Sequence, residues 1–268
     1  MIRTFSAALI LTTAAITPAG AETAEEIIAA GGCPDCDINL ISLRGAEIEN
    51  ASFEKAEIRE ADLKNARLPG ANFRRADLRR TEFERAHLVG ADFTRGKLNG
   101  VDFEKSDLTG ADFADADIRK ADMNEAILDN ANFTEANMEA AFLRRASLRG
   151  ASFVEANLLT ADLERADASG ADFREASMEY ADLDRANLSD ANLTEANMEG
   201  ARLSSANLTG ANLSGADLRN AHLRRTNLSG ADLTGARGLD EERLALACGD
   251  DKTKLPDGLT IKPCGAED

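Results

Sequence analysis

Apolar residues fall on a five-residue beat along most of this chain. From Cys36 to Gly235 it divides into 40 units of five with no insertion or deletion, such as Ala61-Asp62-Leu63-Lys64-Asn65 and Ala191-Asn192-Leu193-Thr194-Glu195. The first position is Ala in 33 of the 40 units, and the third is Leu, Phe, Ile or Met in all but one, the exception being Ala168. An α-helix cannot use this pattern, because at about 100° per residue a five-residue step turns the apolar position by about 140° and carries it to every face. An extended segment can use it: the small and the large apolar residue are two apart and point to one side. The other two positions, often Gly, Asn, Ser, Thr or a charged residue, suit a turn. One short side and one corner per unit predict a coil with flat sides and a filled interior.

The number of sides is also legible. Seven of the eleven phenylalanines, Phe53, Phe73, Phe93, Phe113, Phe133, Phe153 and Phe173, recur every 20 residues, and Leu193, Leu213 and Leu233 continue the column. Four five-residue units then make one coil, with Phe stacked along one inner wall. Gly70, Gly90, Gly110, Gly150, Gly170, Gly210 and Gly230 mark one corner with the same period. Forty units predict ten coils, a rod of roughly 48 Å at the inter-strand spacing of about 4.8 Å. These units resemble the pentapeptide repeat family, with its Ala-(Asp/Asn)-Leu-x-x consensus, over about three-quarters of the chain. The resemblance implies an all-β, right-handed quadrilateral β-helix with Ala and the central Leu or Phe inside. It implies no one function, since a fold hosts many.

The ends read differently. Arg3, the apolar stretch Phe5–Ile16 and Ala19-Gly20-Ala21 form a signal peptide over residues 1–21, with cleavage expected after Ala21; an uncleaved anchor is the alternative. The apolar stretch is short for a membrane span, so no integral membrane segment is expected after cleavage. Residues 22–35 read as an N-terminal cap holding a short helix over Thr23–Ala30 that ends at Gly31-Gly32. Residues 236–268 read as a C-terminal cap, with Asp240 N-capping a helix through about Ala247 and a turn at Lys254–Gly258. Solenoids need such caps to protect their open edges. The stretches Ala247–Asp250 and Leu255–Leu259 are similar to tails of bacterial family members. The four cysteines, Cys33, Cys36, Cys248 and Cys264, lie only in the caps. A disulfide needs Cα atoms within about 7 Å, so Cys33 with Cys36 and Cys248 with Cys264 is the favoured pairing of the three possible. The spacing of Cys33 and Cys36 also admits redox or zinc chemistry, but neither a thioredoxin-like context nor a second ligand pair accompanies it.

Composition moves any function outward. A net charge of −17 with 43% apolar residues describes a packed chain with an acidic surface that repels nucleic acid and favours basic partners. An interior of Ala, Leu and Phe leaves no substrate cavity, and no catalytic residue, cofactor or metal site is expected. One outer column runs Lys55, Arg75, Arg95, Asp115, Glu135, Glu155, Glu175, Glu195, basic and then acidic. Its stacked glutamates repel one another unless a counter-ion or basic partner joins them; the plainer reading is a solvated face, with Arg174 offsetting some charge. Another side, with Glu82, Glu84, Arg85, Asp102, Glu104, Lys105, Asp162, Glu164, Arg165, Asp182, Asp184 and Arg185, reads as a self-satisfied ionic lattice. Phe142, Leu159 and Tyr180 break the polar rule near one corner and form a candidate contact patch, against the plain reading that isolated surface apolars are common. His87 and His222 have no evident partner, and no side carries the Thr column of an ice-binding surface. The function expected is an exported, periplasmic or secreted, non-enzymatic rod that is structural or binds another protein. The alternative, drawn from acidic family members that resemble DNA, is binding to a topoisomerase or other DNA-binding protein. A redox protein using Cys33 and Cys36 is the third reading.

Overall fold

The computed structural model describes residues 23–265. The predicted signal peptide and its cleavage site lie outside them. From Gly32 onward the second residue of each unit pairs in parallel with the residue 20 further on: Gly32 with Ser52, Asp37 with Glu57, Ser42 with Asp62, Glu47 with Arg67, and so on to Asp217 with Arg237. The chain therefore returns on itself every four units. The flat sides expected from the sequence are shorter than strands, for each pairs through one bridged residue only. The reason is the corner that follows every third residue. A turn hydrogen bond runs from the next unit's first N–H to the third residue's carbonyl, as from Ala56 to Phe53 at 3.1 Å. The fifth residue takes a left-handed φ, from Leu40 at 62° to Glu195 at 57°, the signature of a type II turn.

This geometry accounts for every backbone N–H of a unit such as Ala191–Glu195. Ala191 donates to Leu188 across the corner at 3.2 Å, and Asn192 donates to Ala171 one coil back at 2.9 Å. Leu193 and Glu195 donate one coil ahead, to Asn212 at 2.7 Å and Ser214 at 3.0 Å. Thr194 N–H, which has no backbone acceptor, is taken by the Asn192 side chain at 3.2 Å. A buried or half-buried amide left unpaired is costly, and this last bond explains why the second position is so often Asp or Asn.

The core is a column of Ala and large apolar side chains from Ile27 to Ala247, almost all fully buried. Successive rings of the Phe53–Phe173 column stack at 4.7–5.2 Å with planes within 8°. Phe83 and Phe103, on the opposite side, meet this column edge-on, as Phe73 with Phe83 at 5.7 Å and 81°. Where the Ala slot holds a polar residue, its hydroxyl finds a carbonyl: Ser106 bonds Phe103 at 2.6 Å and Thr226 bonds Leu203 at 2.8 Å.

Two short helices close the described ends. Helix α1 (Ala24–Ala30) starts at a Thr23–Glu26 capping box, stops at Gly31 with φ 76°, and buries Ile27 over the first coil. Helix α2 (Glu241–Leu244) is N-capped by Asp240 as expected but ends three residues earlier than the sequence suggested. The chain there returns to repeat geometry: Leu244 and Ala247 are buried like the third and first residues of a unit, and Ala247 N–H donates to Leu244. The inserted helix shifts the register, so that Asn227 pairs with Cys248 and Asp232 with Lys254, one and two residues beyond the 20-residue step.

Candidate interaction surfaces

Each unit presents outward only its second, fourth and fifth residues, so the surface is a set of columns whose successive residues lie about 4.8 Å apart along the rod. The fifth-position column after the Phe side holds Lys55, Arg75, Arg95, Asp115, Glu135, Glu155, Glu175 and Glu195, all exposed and all with φ of 57–59°. Lys55 Nζ lies 4.0 Å from Asp35 and 3.8 Å from Glu54, and Arg95 Nε bonds Asp115 at 3.1 Å. Among the described residues, Arg75, Glu135, Glu155 and Glu175 have no ion pair. Arg174 bonds Asp172, two residues back on the same unit, at 2.8 Å. The charge of Glu175 acts on the same guanidinium, so Arg174 offsets part of this column's charge as expected without an ion pair to it. The Glu195 carboxylate folds over Gly215, where a Cβ would come within 2.4 Å of its Oε1.

The third side, built from the units of Glu82 to Arg185, carries the expected ionic lattice. Lys64 meets Glu82 at 3.1 Å, Arg144 pairs with Glu164, and Arg185 reaches Glu164 at 3.3 Å. Arg202 bridges Asp182 at 2.9 Å and Asp184 at 2.6 Å. Repulsion persists between like residues on successive coils. Burial, then the charges of Asp122 and Glu104, raises the Asp102 carboxyl above its ordinary pKa, and burial with Asp184 and Asp162 raises Asp182. A shallow open groove of about 370 Å³ on this side is lined by charges of both signs, among them Glu104, Asp122, Arg144 and Arg145.

At the corner where the side of unit 176–180 meets this third side, Tyr180 is 61% and Phe142 44% exposed. Leu159 is half-buried, because a fourth-position side chain lies against the flat side, so the exposed patch consists of the two aromatic residues. Phe142 sits in a bridge position between Asp122 and Asp162. The Tyr180 ring lies over Gly200, where a Cβ would meet ring carbons at 2.6 Å. Beside it, Glu179 bonds Asn197 through Oε1 while its buried Oε2 has no partner. The sequence reading missed Ile127, exposed at a second position, and Leu40 and Leu246 at the ends. It also missed a contact one coil ahead of His87, whose Nδ1 lies 3.3 Å from Asp107; the 20-residue step alone points to that pair.

At the ends, the sulfurs of Cys33 and Cys36 lie at disulfide distance with Cα atoms 5.7 Å apart, as do those of Cys248 and Cys264 with Cα atoms 4.8 Å apart. Among the described residues no helix is long and apolar enough to cross a membrane. Eight copies of a family profile, described as pentapeptide repeats, match between residues 36 and 237. The chain belongs to the pentapeptide repeat family.

Solved pentapeptide repeat proteins resemble it. HetL of the cyanobacterium Nostoc sp. strain PCC 7120, involved in heterocyst differentiation regulation, is 36% identical over 81% of this chain and 92% of its own, with a TM-score of 0.37. A pentapeptide repeat protein of the Arabidopsis thaliana thylakoid lumen is 35% identical over 44% of this chain and 68% of its own, with a TM-score of 0.28. QnrB1, a plasmid-mediated fluoroquinolone resistance protein, is 20% identical over 83% of this chain and 92% of its own, with a TM-score of 0.38. Among curated proteins no relative matches the chain. Pentapeptide repeat proteins form quadrilateral β-helices, and the 20-residue bridging register found here is what four sides require.

Proposed function

We propose that this pentapeptide repeat protein is an exported, non-enzymatic rod of ten right-handed coils that holds another protein against one of its corners. The observation that carries the reading is the pair Phe142 and Tyr180, large aromatic side chains exposed nearly two coils apart at one corner of a rigid, otherwise polar surface, with half-buried Leu159 on the coil between them. Exposed aromatics on a rigid scaffold form contact sites at low entropic cost. Around them, the third-side arginines and the half-satisfied Glu179 supply a polar rim. Leu159 adds apolar area at the base of the patch. Export follows from Arg3, the Phe5–Ile16 stretch and the Ala19–Ala21 site. The cysteine pairs suit an oxidising compartment, where both are disulfides that staple the caps.

The DNA-mimic alternative draws on the net charge of −17. The basic stretch Lys55–Arg95 and the mixed-sign third side interrupt the continuous anionic surface such a mimic uses. The test is capture from a periplasmic extract by the mature chain and by a Phe142→Ser, Tyr180→Ser variant. One protein retained by the first and lost by the second is expected. Equal capture by both, or none, overturns the corner as the docking site. Recovery of the chain in the cytoplasm with Met1 retained overturns export and favours the mimic.

A further inference from the structure

The column from Lys55 to Glu195 has its charge segregated along the rod, basic over its first three levels and acidic over the next five. Lys55, Arg75 and Arg95 occupy three successive coils, and Asp115, Glu135, Glu155, Glu175 and Glu195 the next five. All eight share one left-handed backbone conformation and all are exposed, so they form a straight ridge of equal spacing. A two-fold axis perpendicular to the rod, passing between the levels of Arg95 and Asp115, turns this ridge into its own complement. We propose that two copies of the chain pair antiparallel along this ridge, Arg75 of each against Glu135 of the other. Arg95 then faces Asp115 and Lys55 faces Glu155. This docking is independent of whatever protein engages the Phe142–Tyr180 corner.

Four observations select this occupant. Arg75, Glu135 and Glu155 are without an ion pair within the chain, so the Arg75–Glu135 contact competes with nothing already made, whereas Arg95 also holds Asp115 and Lys55 lies by Asp35 and Glu54 of its own chain. The flat side next to the ridge carries half-buried Thr94, Ala114, Thr134 and Val154, with the longer Glu54 and Arg74 only at the basic end, so a second rod meets short side chains at the levels next to the two-fold axis. Orientation is specified, because parallel rods in register would oppose Arg75 to Arg75 and Glu135 to Glu135. Register is favoured too, because moving the axis half a level toward the acidic end keeps three opposite-charge pairings but adds Asp115 against its own copy, and moving it the other way sets Arg95 against its own. Asp35, which would face Glu175, is already beside Lys55 at 4.0 Å. An isologous contact of this kind closes as a dimer and does not propagate. The overall negative charge opposes association at long range, but at about 0.15 M salt the screening length is about 8 Å, and the remote charges weaken before the contacts do.

Charge reversal tests the pairing. Arg and Glu already occupy the same left-handed slot in this column, with φ of 57° at Arg75 and 59° at Glu135, so each exchange suits the backbone. In sedimentation of the full mature chain at physiological salt, a concentration-dependent dimer is expected that dissociates in molar salt. R75E alone and E135R alone are expected to weaken it at least about tenfold, and R75E with E135R to restore it. E195R, outside the paired levels, is expected to leave it unchanged, with circular dichroism confirming that each variant is folded. A wild-type chain that stays monomeric up to millimolar concentration overturns the proposal. So does a folded double variant that fails to recover. Binding of a cationic peptide to the glutamates of a monomeric chain would assign the ridge to a basic partner instead, and also overturns it.

Discussion

The second residue of each unit carries more of the fold than its polar, outward position suggests. Its side-chain oxygen accepts the N–H of the fourth residue, as Asp112 does from Ala114 at 3.0 Å and Asn212 does from Ser214 at 3.1 Å. In the sequence this residue reads only as the polar partner of an alternating pair. The turn it stabilises becomes visible once the fourth N–H is seen to lack a backbone acceptor. Replacing Asn192 with Ala is expected to destabilise the chain by about 1 kcal/mol, the ordinary contribution of such a bond. Asn192→Asp should cost much less, and denaturant unfolding of the two variants checks it. The fifth residue shows the converse: Gly suits its left-handed φ, yet Arg, Glu and even Thr160 occupy it. The inter-coil bonds around each corner over-determine that conformation. A sequence reading therefore finds the Gly corner and cannot see that the other corners share its geometry.

At the scale of elements, the caps are where register and charge are set. The bridge between Asp232 and Lys254 fastens the C-terminal segment to the last coil, with Nζ and Oδ2 at 2.7 Å. Lys254, followed by Thr234, holds the Asp232 carboxyl down to about 2. A folded-state pKa below the unfolded one stabilises the fold above the unfolded value and ceases to do so as pH falls through the folded value. The stability gap between wild type and Asp232→Asn should therefore be present at neutral pH, at no more than about 1 kcal/mol for so exposed a pair. It should close between about pH 4 and pH 2, and thermal melts across that range measure it. None of this was legible in advance. Helix α2 shifts the register by one and then two residues, so the 20-residue step that locates every partner within the rod fails to locate Lys254. By contrast, α1 was legible to within one residue, Thr23 serving as its N-cap and Gly31 ending it as expected, because these are local signals that require no partner coil.

At the scale of the whole molecule, stability is distributed along one dimension, each coil resting on its two neighbours. The Phe column is the heaviest part of that contact, since each ring stacks on the rings above and below at the coil spacing. Phe113→Ala should cost about 3–5 kcal/mol, the range for a large buried aromatic. The loss should be felt first in the adjacent coils: hydrogen exchange ought to rise around Phe93 and Phe133 while the caps stay protected. Uniform exchange along the rod would show instead that the coils unfold as one unit. The antiparallel ridge belongs to the same scale, because it depends on eight residues keeping a common spacing along the rod.

The sequence alone determined the repeat, the period of four units per coil and the inward residues. Each rests on local conformation or on strict periodicity, and periodicity turns residue number directly into place. Only the tertiary structure decided which outward groups are satisfied. Side-chain rotation chooses between a neighbour two residues away and one on the next coil, as when Arg174 bonds Asp172 while Arg149 reaches Asp167 on the next coil. That choice is made by distances across coils, which a linear pattern does not contain.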